Sequence, residues 1–199
     1  MLPTAIVKPA HPRFAAPLAL VAALLAGGVA HAGAAPLASL RITDVLGNQL
    51  QLGAAPAPTV LIFMSRTARA ASATFARAVD ERLLDRPIES VGIVDVRRYG
   101  GVLRRLATSY LVRSAKEARV SRRERRQARG VDASEGAIDR WHLVGDFDGS
   151  LFARFGVAAE PKAPLAFVVD PAGALHGPFL EVDKVVAAVA AGSVAPTPR

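Results

Sequence analysis

Apolar positions along most of this chain repeat with the periods of strands and helices. Residues 59–64 and 90–96 are two runs with apolar, strand-forming centres. Between them, residues 68–84 place apolar side chains at spacings of three and four, which gives a helix one apolar face. A strand, a helix and a strand in this order predict a βαβ unit with parallel strands and a right-handed crossover. The chain is therefore predicted to have an α/β fold.

The pattern continues on both sides of this unit. Residues 40–42 and 50–52 alternate apolar and polar positions around a Gly47-Asn48 turn, which predicts a β-hairpin. The elements predicted after the βαβ unit are a helix, a loop, a strand, a short helix, two strands and a last helix, over residues 101–129, 131–137, 141–145, 150–155, 165–170, 174–179 and 181–191.

The N-terminal residues are typical of a secretory signal peptide. Lys8 and Arg13 precede an apolar stretch over 14–25, and Ala30-His31-Ala32 supplies a small-x-small cleavage pattern. This stretch is shorter than the roughly 20 residues that a spanning helix needs, which makes an uncleaved membrane anchor the weaker alternative. We therefore expect a protein that is exported, and periplasmic or secreted after cleavage near Ala32.

The length of 199 residues fits one domain with short appendages. We expect a signal peptide over 1–32, a lead-in over 33–39, one domain over 40–191 and a flexible tail over 192–199. The domain contains a basic helical element over 97–129. The oligomeric state is left open by these patterns.

Composition narrows the chemistry that the domain can perform. The chain contains no cysteine, which excludes disulfides, cysteine nucleophiles and thiolate zinc sites. Its four histidines have no spacing typical of metal ligands. We therefore expect no metal and no cofactor.

The positive charge of the chain is concentrated in one element. Residues 97–129 contain twelve basic and two acidic residues, a net charge of +10, whereas the whole chain has +8. The first half of the helix has an apolar face, which is expected to pack on the sheet, and beyond Val120 no apolar face remains. A cationic helix attracts polyanions. The arginines expected to contact an anionic partner are Arg119, Arg122, Arg123, Arg125, Arg126 and Arg129.

The expected partner of this helix is an envelope protein or an anionic surface. Peripheral contact with a membrane is compatible with the charge. Nucleic acid is not expected, because the chain is predicted to be exported and the element has almost no aromatic side chains for base stacking. The alternative is a solvated helix that only aids solubility.

The most specific motif lies within residues 155–173. An aromatic-Gly-Val sequence at 155–157 is followed by Pro164, directly before an apolar strand that ends in Asp170 and a turn at Gly173. This segment and the order of the elements resemble the thioredoxin-like superfamily in its extracytoplasmic redoxin form, which includes peroxiredoxins and the TlpA-type and YtfJ-like proteins. The resemblance implies a three-layer sandwich around a central mixed sheet, with Pro164, after Ala163, as the cis-proline of the fold.

The resemblance also implies where reactive cysteines would lie, and this chain lacks them. The counterparts of a Cys-x-x-Cys pair, in the loop after the first core strand, are Ala68 and Ala71. Thiol–disulfide exchange and peroxide reduction in this family need a thiolate. Cysteine-dependent oxidoreductase and peroxidase activities are therefore excluded, and no catalytic residue is assigned.

Other groups at this loop remain candidates for a ligand site. They are Ser65, Arg66, Thr67, Arg69, Ala163 and Pro164. A helix N-terminus flanked by guanidinium groups can hold an anion, but Ser65 or Thr67 can equally cap the helix. The sequence thus predicts a redox-inactive binding or assembly module whose arginine-rich helix contacts an anionic partner. The alternative is a redoxin-like enzyme that uses non-thiol groups near this loop.

Overall fold

The computed structural model describes residue 37 and residues 40–53, 56–65 and 67–192. The predicted signal peptide, most of the lead-in, Arg66 and the tail from residue 193 lie outside the described residues. Among the helices that are described, none is long and apolar enough to cross a membrane.

The predicted strands and helices are present, with ends that differ from the predictions by at most two residues. In chain order they are β1 (Arg41–Thr43), β2 (Gln49–Gln51), β3 (Thr59–Met64), α1 (Arg69–Arg82), β4 (Glu89–Asp95), α2 (Gly101–Ala128), α3 (Glu135–Ile138), β5 (Trp141–Asp146), α4 (Ser150–Arg154), β6 (Leu165–Val169), β7 (Leu175–Phe179) and α5 (Val182–Gly192). The expectation of a loop over 131–137 is wrong in part. Ser134 caps the one-turn helix α3 through the backbone N–H of Ala137, and a helix this short has no periodicity to reveal it.

The central sheet has five strands in the order β5-β4-β3-β6-β7. Strands β3, β4 and β5 are parallel, whereas β6 and β7 run antiparallel to their neighbours. The hairpin of β1 and β2 forms a separate antiparallel pair. The predicted parallel pairing of β3 with β4 is confirmed, and the sheet is mixed, as the thioredoxin-like fold requires.

Helices cover one face of this sheet, and the hairpin and α4 cover the other. Valines 185 and 189 of α5 and Phe75 of α1 pack on the first face. Phe63, in the middle of the second face, contacts the rings of Phe152 and Phe167 with centroid distances of 5.0 and 5.7 Å. The three-layer α/β sandwich that the sequence predicted is therefore confirmed.

The positions of α1 and α2 follow from the handedness of the crossovers. The chain steps from β3 to β4 and on to β5 in the same direction across the sheet. Right-handed crossovers then place both connecting helices on the same face, side by side. Contacts that join Arg69 to Tyr110 and Asp80 to Arg125 show that the two helices run parallel over the length of α1.

The expected cis-proline is not at Pro164. Among the described residues, the one cis peptide bond joins Gly177 and Pro178 in β7. The cis form of any X–Pro bond costs only about 0.5–1 kcal/mol. Tertiary contacts therefore decide which proline adopts it, and the sequence motif did not reveal them. Pro164 instead immediately precedes β6.

Candidate functional site

The loop after β3 is closed by its own side chains and by the segment before β6. The Ser65 hydroxyl donates to the backbone carbonyl of Pro161 at 2.6 Å and accepts from the N–H of Ala68 at 3.2 Å. It also lies 3.0 Å from the Thr67 hydroxyl. Ser65 is buried. Its hydroxyl therefore has a structural role in the loop, although it does not cap α1 as predicted: the N-cap is Ala68, and among the described residues no side chain caps this helix.

The other candidates at this loop are divided between two places. Phe63 is opposite Leu165 in the sheet, which places Pro164 beside Met64 and next to the loop, as the resemblance implied. Arg69 donates to the Tyr110 hydroxyl of α2, and its guanidinium carbon lies 5.2 Å from the centre of that ring. Ala163 and Thr67 are exposed, and Arg66 lies outside the described residues.

The carboxylate of Asp95, at the end of β4 and beside this loop, is surrounded by hydrogen-bond donors. Asp95 accepts from the Arg97 guanidinium and from the backbone N–H groups of Arg97 and Glu160. The hydrogen bond from the Arg97 side chain holds the pKa of Asp95 below its usual value, although burial opposes this. A carboxylate with a lowered pKa and several donors is a weak base. The loop thus offers little activation for a hydroxyl nucleophile.

The predicted cationic face of α2 is turned toward the protein itself. Two of its arginines share one carboxylate: Arg122 Nη1 lies 3.0 Å from Asp80 Oδ1, and Arg125 donates to Asp80 Oδ2 at 2.6 Å. Arg126 donates to the backbone carbonyls of Leu84 and Asp132. These three arginines fasten the second half of α2 to the end of α1.

The remaining three arginines of this set also have acceptors in the same chain. Arg119 pairs with Asp139 at 3.0 Å, and Arg123 pairs with Glu135. Arg129 donates to the backbone carbonyl of Glu81 at 2.7 Å. All six side chains predicted to meet a partner therefore contact their own domain.

Arg122 and Arg126, which were predicted to contact an anionic partner, are buried in their own domain, with exposed fractions of 2% and 6%. Burial lowers the pKa of Arg122, and the charge of Asp80 opposes this shift. Arg122 meets the carboxylate of Asp80 in the last turn of α1, and Arg126 donates to the carbonyl of Leu84 just beyond α1, 42 residues earlier in the sequence. Helical periodicity identifies a face of a helix but does not show what that face meets.

The burial of the first half of α2 is also the reverse of the prediction. Its large apolar side chains are exposed rather than packed on the sheet: Val102, Leu103, Leu106 and Tyr110. A helix of 28 residues is about 42 Å long, whereas strands of six residues span about 20 Å. Leu111 and Ala115 pack on the sheet, and the turns before them extend beyond it.

A cavity of about 620 Å³ lies between α1 and α2, over β4. Its walls are formed by small side chains, which keep the two helices from filling the space: Ser72, Ala73 and Ala76 of α1, and Ala107, Ser114, Ala118 and Ser121 of α2. Its floor includes Gly92, where a Cβ would lie 2.7 Å from Met64 Cε. Sequence reasoning missed this cavity, although the spacing of the small residues was a signal for it.

The two ends of the cavity differ in character. At one end it is lined by Asp80, Ser90, Arg122 and Trp141. At the other end the exposed Leu103 and Leu106 line it beside the loop after β3, together with the predicted site residues Ser65 and Arg69 and with Asp95. The cavity is mostly apolar and contains buried polar groups, which is typical of a ligand site, and it is therefore the candidate site. Within the described part of the chain, no cluster of side chains is arranged to hold a metal ion.

Comparison with known proteins gives no match to a family model and none to a curated protein. Solved structures do match. A thioredoxin-like protein from Aeropyrum pernix is 18% identical, with a TM-score of 0.48 and coverage of 77% of this chain and 89% of that one. A putative thioredoxin from Neisseria meningitidis is 8% identical, with a TM-score of 0.48 and coverage of 79% and 90%.

The exposed lipoprotein thioredoxin from Streptococcus pneumoniae is 16% identical, with a TM-score of 0.46 and coverage of 76% and 98%. The strand order and the layers of the described residues are those of the thioredoxin-like fold. The sequence has alanine where the resemblance places the reactive cysteines, so this is a thioredoxin-like domain without thiol chemistry.

Proposed function

We propose that the protein is an exported, redox-inactive thioredoxin-like module that binds a ligand in the cavity between α1 and α2. One observation carries this proposal: a mostly apolar cavity opens beside exposed large apolar side chains of α2. Sites for small ligands are typically concave and apolar with a few polar groups, and contiguous exposed apolar surface marks an interaction site. Export is supported by the signal-peptide pattern over 1–32.

The alternative, an enzyme that uses hydroxyl groups near the loop after β3, is less well supported. The proton of the Ser65 hydroxyl is engaged with the Pro161 carbonyl. The nearby Asp95 is held by Arg97 and has no hydrogen bond to Ser65 or Thr67 among the described residues. A serine nucleophile needs a base within hydrogen-bonding reach.

Contact with an anionic partner or surface is a second proposal. The residues that support it differ from the six arginines first predicted to make this contact. Four cationic side chains on α2 are exposed, namely Arg104, Arg105, Arg113 and Lys116. They support salt-sensitive binding to anionic vesicles or an acidic envelope protein. Replacement of Arg104, Arg105 and Arg113 by Gln tests this without disturbing the buried arginines. Binding that is unchanged in this variant contradicts the proposal.

The cavity is tested with N-phenyl-1-naphthylamine, an uncharged dye that becomes fluorescent in apolar surroundings. We expect saturable binding to the purified protein. Ala118→Leu places a larger side chain in the cavity and should abolish binding. Ala128→Leu adds the same volume at an exposed position of the same helix and should not. Equal binding by both variants, with unchanged melting temperatures, contradicts the proposed site.

A further inference from the structure

We propose that the ligand of this cavity is an amphiphile with one hydrocarbon chain and a carboxylate head, of the kind represented by a long-chain fatty acid. The inference rests on the proposed function, since it names the ligand class of the same site. In the proposed arrangement, the head lies at the end formed by Ser90 and Arg122. The chain runs between α1 and α2 toward Leu106.

The polar end of the cavity has an excess of hydrogen-bond donors. Arg122 Nη1 and Asp80 Oδ1 lie 3.0 Å apart without hydrogen-bond geometry, so this unpaired donor and this unpaired acceptor offset each other. Beyond them, Arg122 Nε, Arg125 Nε and the Ser90 hydroxyl have no hydrogen-bond partner among the described residues. Ser90 and Arg122 are nearly completely buried. Buried polar groups are generally paired, and arginine has no acceptor of its own. The group that completes this end must therefore be an acceptor.

This end also has an excess of one positive charge. Arg122 and Arg125 share the single carboxylate of Asp80. Arg126 and Glu89 also act on Arg122 electrostatically, and their opposite charges leave the excess unchanged. Hydrogen bonds between a guanidinium and a carboxylate are among the strongest in proteins. A monoanionic head matches both the donors and the charge, whereas a phosphate monoester carries about 1.5 to 2 negative charges.

The rest of the cavity fits a long apolar chain. Along α2 the lining residues run from Leu103 to Arg125, a length of about 33 Å for helical residues. The volume of about 620 Å³ lies within the range of about 300–1,000 Å³ that is usual for small-molecule sites. A hydrocarbon chain at the open end would cover Leu103 and Leu106, which are 54% and 63% exposed.

A peptide segment fits this space less well than a hydrocarbon chain. Each peptide unit brings an N–H and a C=O that need partners when they are buried. Between its two ends, the cavity is lined mainly by apolar side chains, with the hydroxyls of Ser72 and Ser114. A chain without polar groups adds nothing there that needs a partner, although the Ser72 hydroxyl, which has no hydrogen-bond partner among the described residues, stays unpaired.

Three probes of equal chain length test the head group by displacement of N-phenyl-1-naphthylamine from the purified protein. Dodecanoate is expected to bind at least tenfold more tightly than dodecanol, and dodecyltrimethylammonium more weakly than either. Equal affinity for dodecanoate and dodecanol overturns the inference, while the proposed site stands.

If the dye itself does not bind to the protein, the proposed function fails. Tighter binding of dodecyl phosphate, or of a peptide of residues 14–25, than of dodecanoate also overturns the inference.

Two serines that both line the cavity provide a matched pair of variants. Ser90 lies at the start of β4, at the same end of the sheet as Asp80 in the last turn of α1, whereas Ser72 lies in the first turn of α1. Ser90→Ala should weaken dodecanoate about tenfold, because it removes a hydrogen bond to a charged group, and leave dodecanol unchanged. Ser72→Ala should change both by less than twofold. The same effect in both variants, or none, contradicts the placement of the head.

Chain length provides a further readout that does not depend on variants. Each methylene buried in apolar surroundings is expected to tighten binding about fourfold, from octanoate upward, until the cavity is filled. An affinity that does not change with chain length contradicts a chain bound between α1 and α2.

Discussion

The two halves of α2 differ in burial in the opposite sense to their polarity. The second half is strongly charged, yet Arg122 and Arg126 are buried and fasten it to the end of α1. The first half is rich in apolar side chains, yet Leu103 and Leu106 are exposed. In this helix the charged side chains fix the position, and the apolar side chains of the first half are left exposed. Polarity alone therefore does not tell which part of a helix is buried.

The acceptors at the end of α1 explain why buried arginines are tolerated here. The last carbonyls of a helix have no partner within the helix and carry partial negative charge. Arg129 donates to the carbonyl of Glu81, and Arg126 donates to that of Leu84, just beyond the end of α1. Asp80 adds a full negative charge. Through these contacts the guanidiniums anchor α2 beside α1.

The largest effect is expected from the carboxylate on which the charged half depends. Asp80→Asn leaves two guanidiniums without a counter-charge and should lower the free energy of unfolding by about 3–5 kcal/mol. Urea denaturation measures this. Glu81→Gln is the control, because Glu81 pairs only at the surface with Arg77 among the described residues and should cost less than about 1 kcal/mol. Equal effects of the two substitutions would contradict the anchoring role.

The next largest effect on stability is expected when a leucine is replaced by alanine, and it should differ between the two halves of α2. Leu111→Ala removes a buried side chain and should destabilise the protein by about 3 kcal/mol. Leu106→Ala, little more than one turn earlier, should change stability by less than about 0.5 kcal/mol. If Leu106→Ala destabilises the free protein as much as Leu111→Ala, the first half is packed and the cavity is not open.

A smaller effect is expected at the connection into α2, where Asp95 holds Arg97. The pKa of Asp95 is below its ordinary value of 3.8 in the folded protein, first because of the Arg97 hydrogen bond. Its contribution to stability is therefore present above pH 3.8 and is lost as the pH falls through the lower folded value. Asp95→Asn should lower the thermal midpoint at pH 7, and the difference from the wild type should shrink in acid. A difference that grows in acid has the wrong sign for this account.

The smallest effect is expected where an arginine of the charged half remains near the surface. Arg123 pairs with Glu135, and both side chains are more than a third exposed. Arg123→Gln should change the free energy of unfolding by less than about 0.5 kcal/mol in urea. A loss comparable to that of Asp80→Asn would remove the distinction between anchoring and surface arginines.

The fold could be predicted from the sequence because each element has its own local signal. The continuous apolar run of β3 and the 3.6-residue periodicity of α1 do not depend on distant residues. The order of the elements then left few topologies. The helix α3 was missed because its four residues are too few to show a period.

Much less of the site could be predicted, because its contacts are long-range. The position of the loop after β3 followed from the resemblance, but the bond from Ser65 to Pro161 joins residues 96 positions apart. Arg126 and Leu84 are 42 positions apart. Besides the spacing of the small residues, the length of α2 indicates the exposed first half, since a helix of 28 residues beside strands of six or seven must extend beyond the sheet.

The central claim is that a ligand chain binds between α1 and α2, and Trp141 provides the most direct test. It is the only tryptophan of the sequence and lines the cavity. We predict that dodecanoate, titrated below its micellar concentration, changes the Trp141 emission saturably with one site per chain, and that Ala118→Leu abolishes the change. No change in the wild type, or the same change in both proteins, would contradict the account.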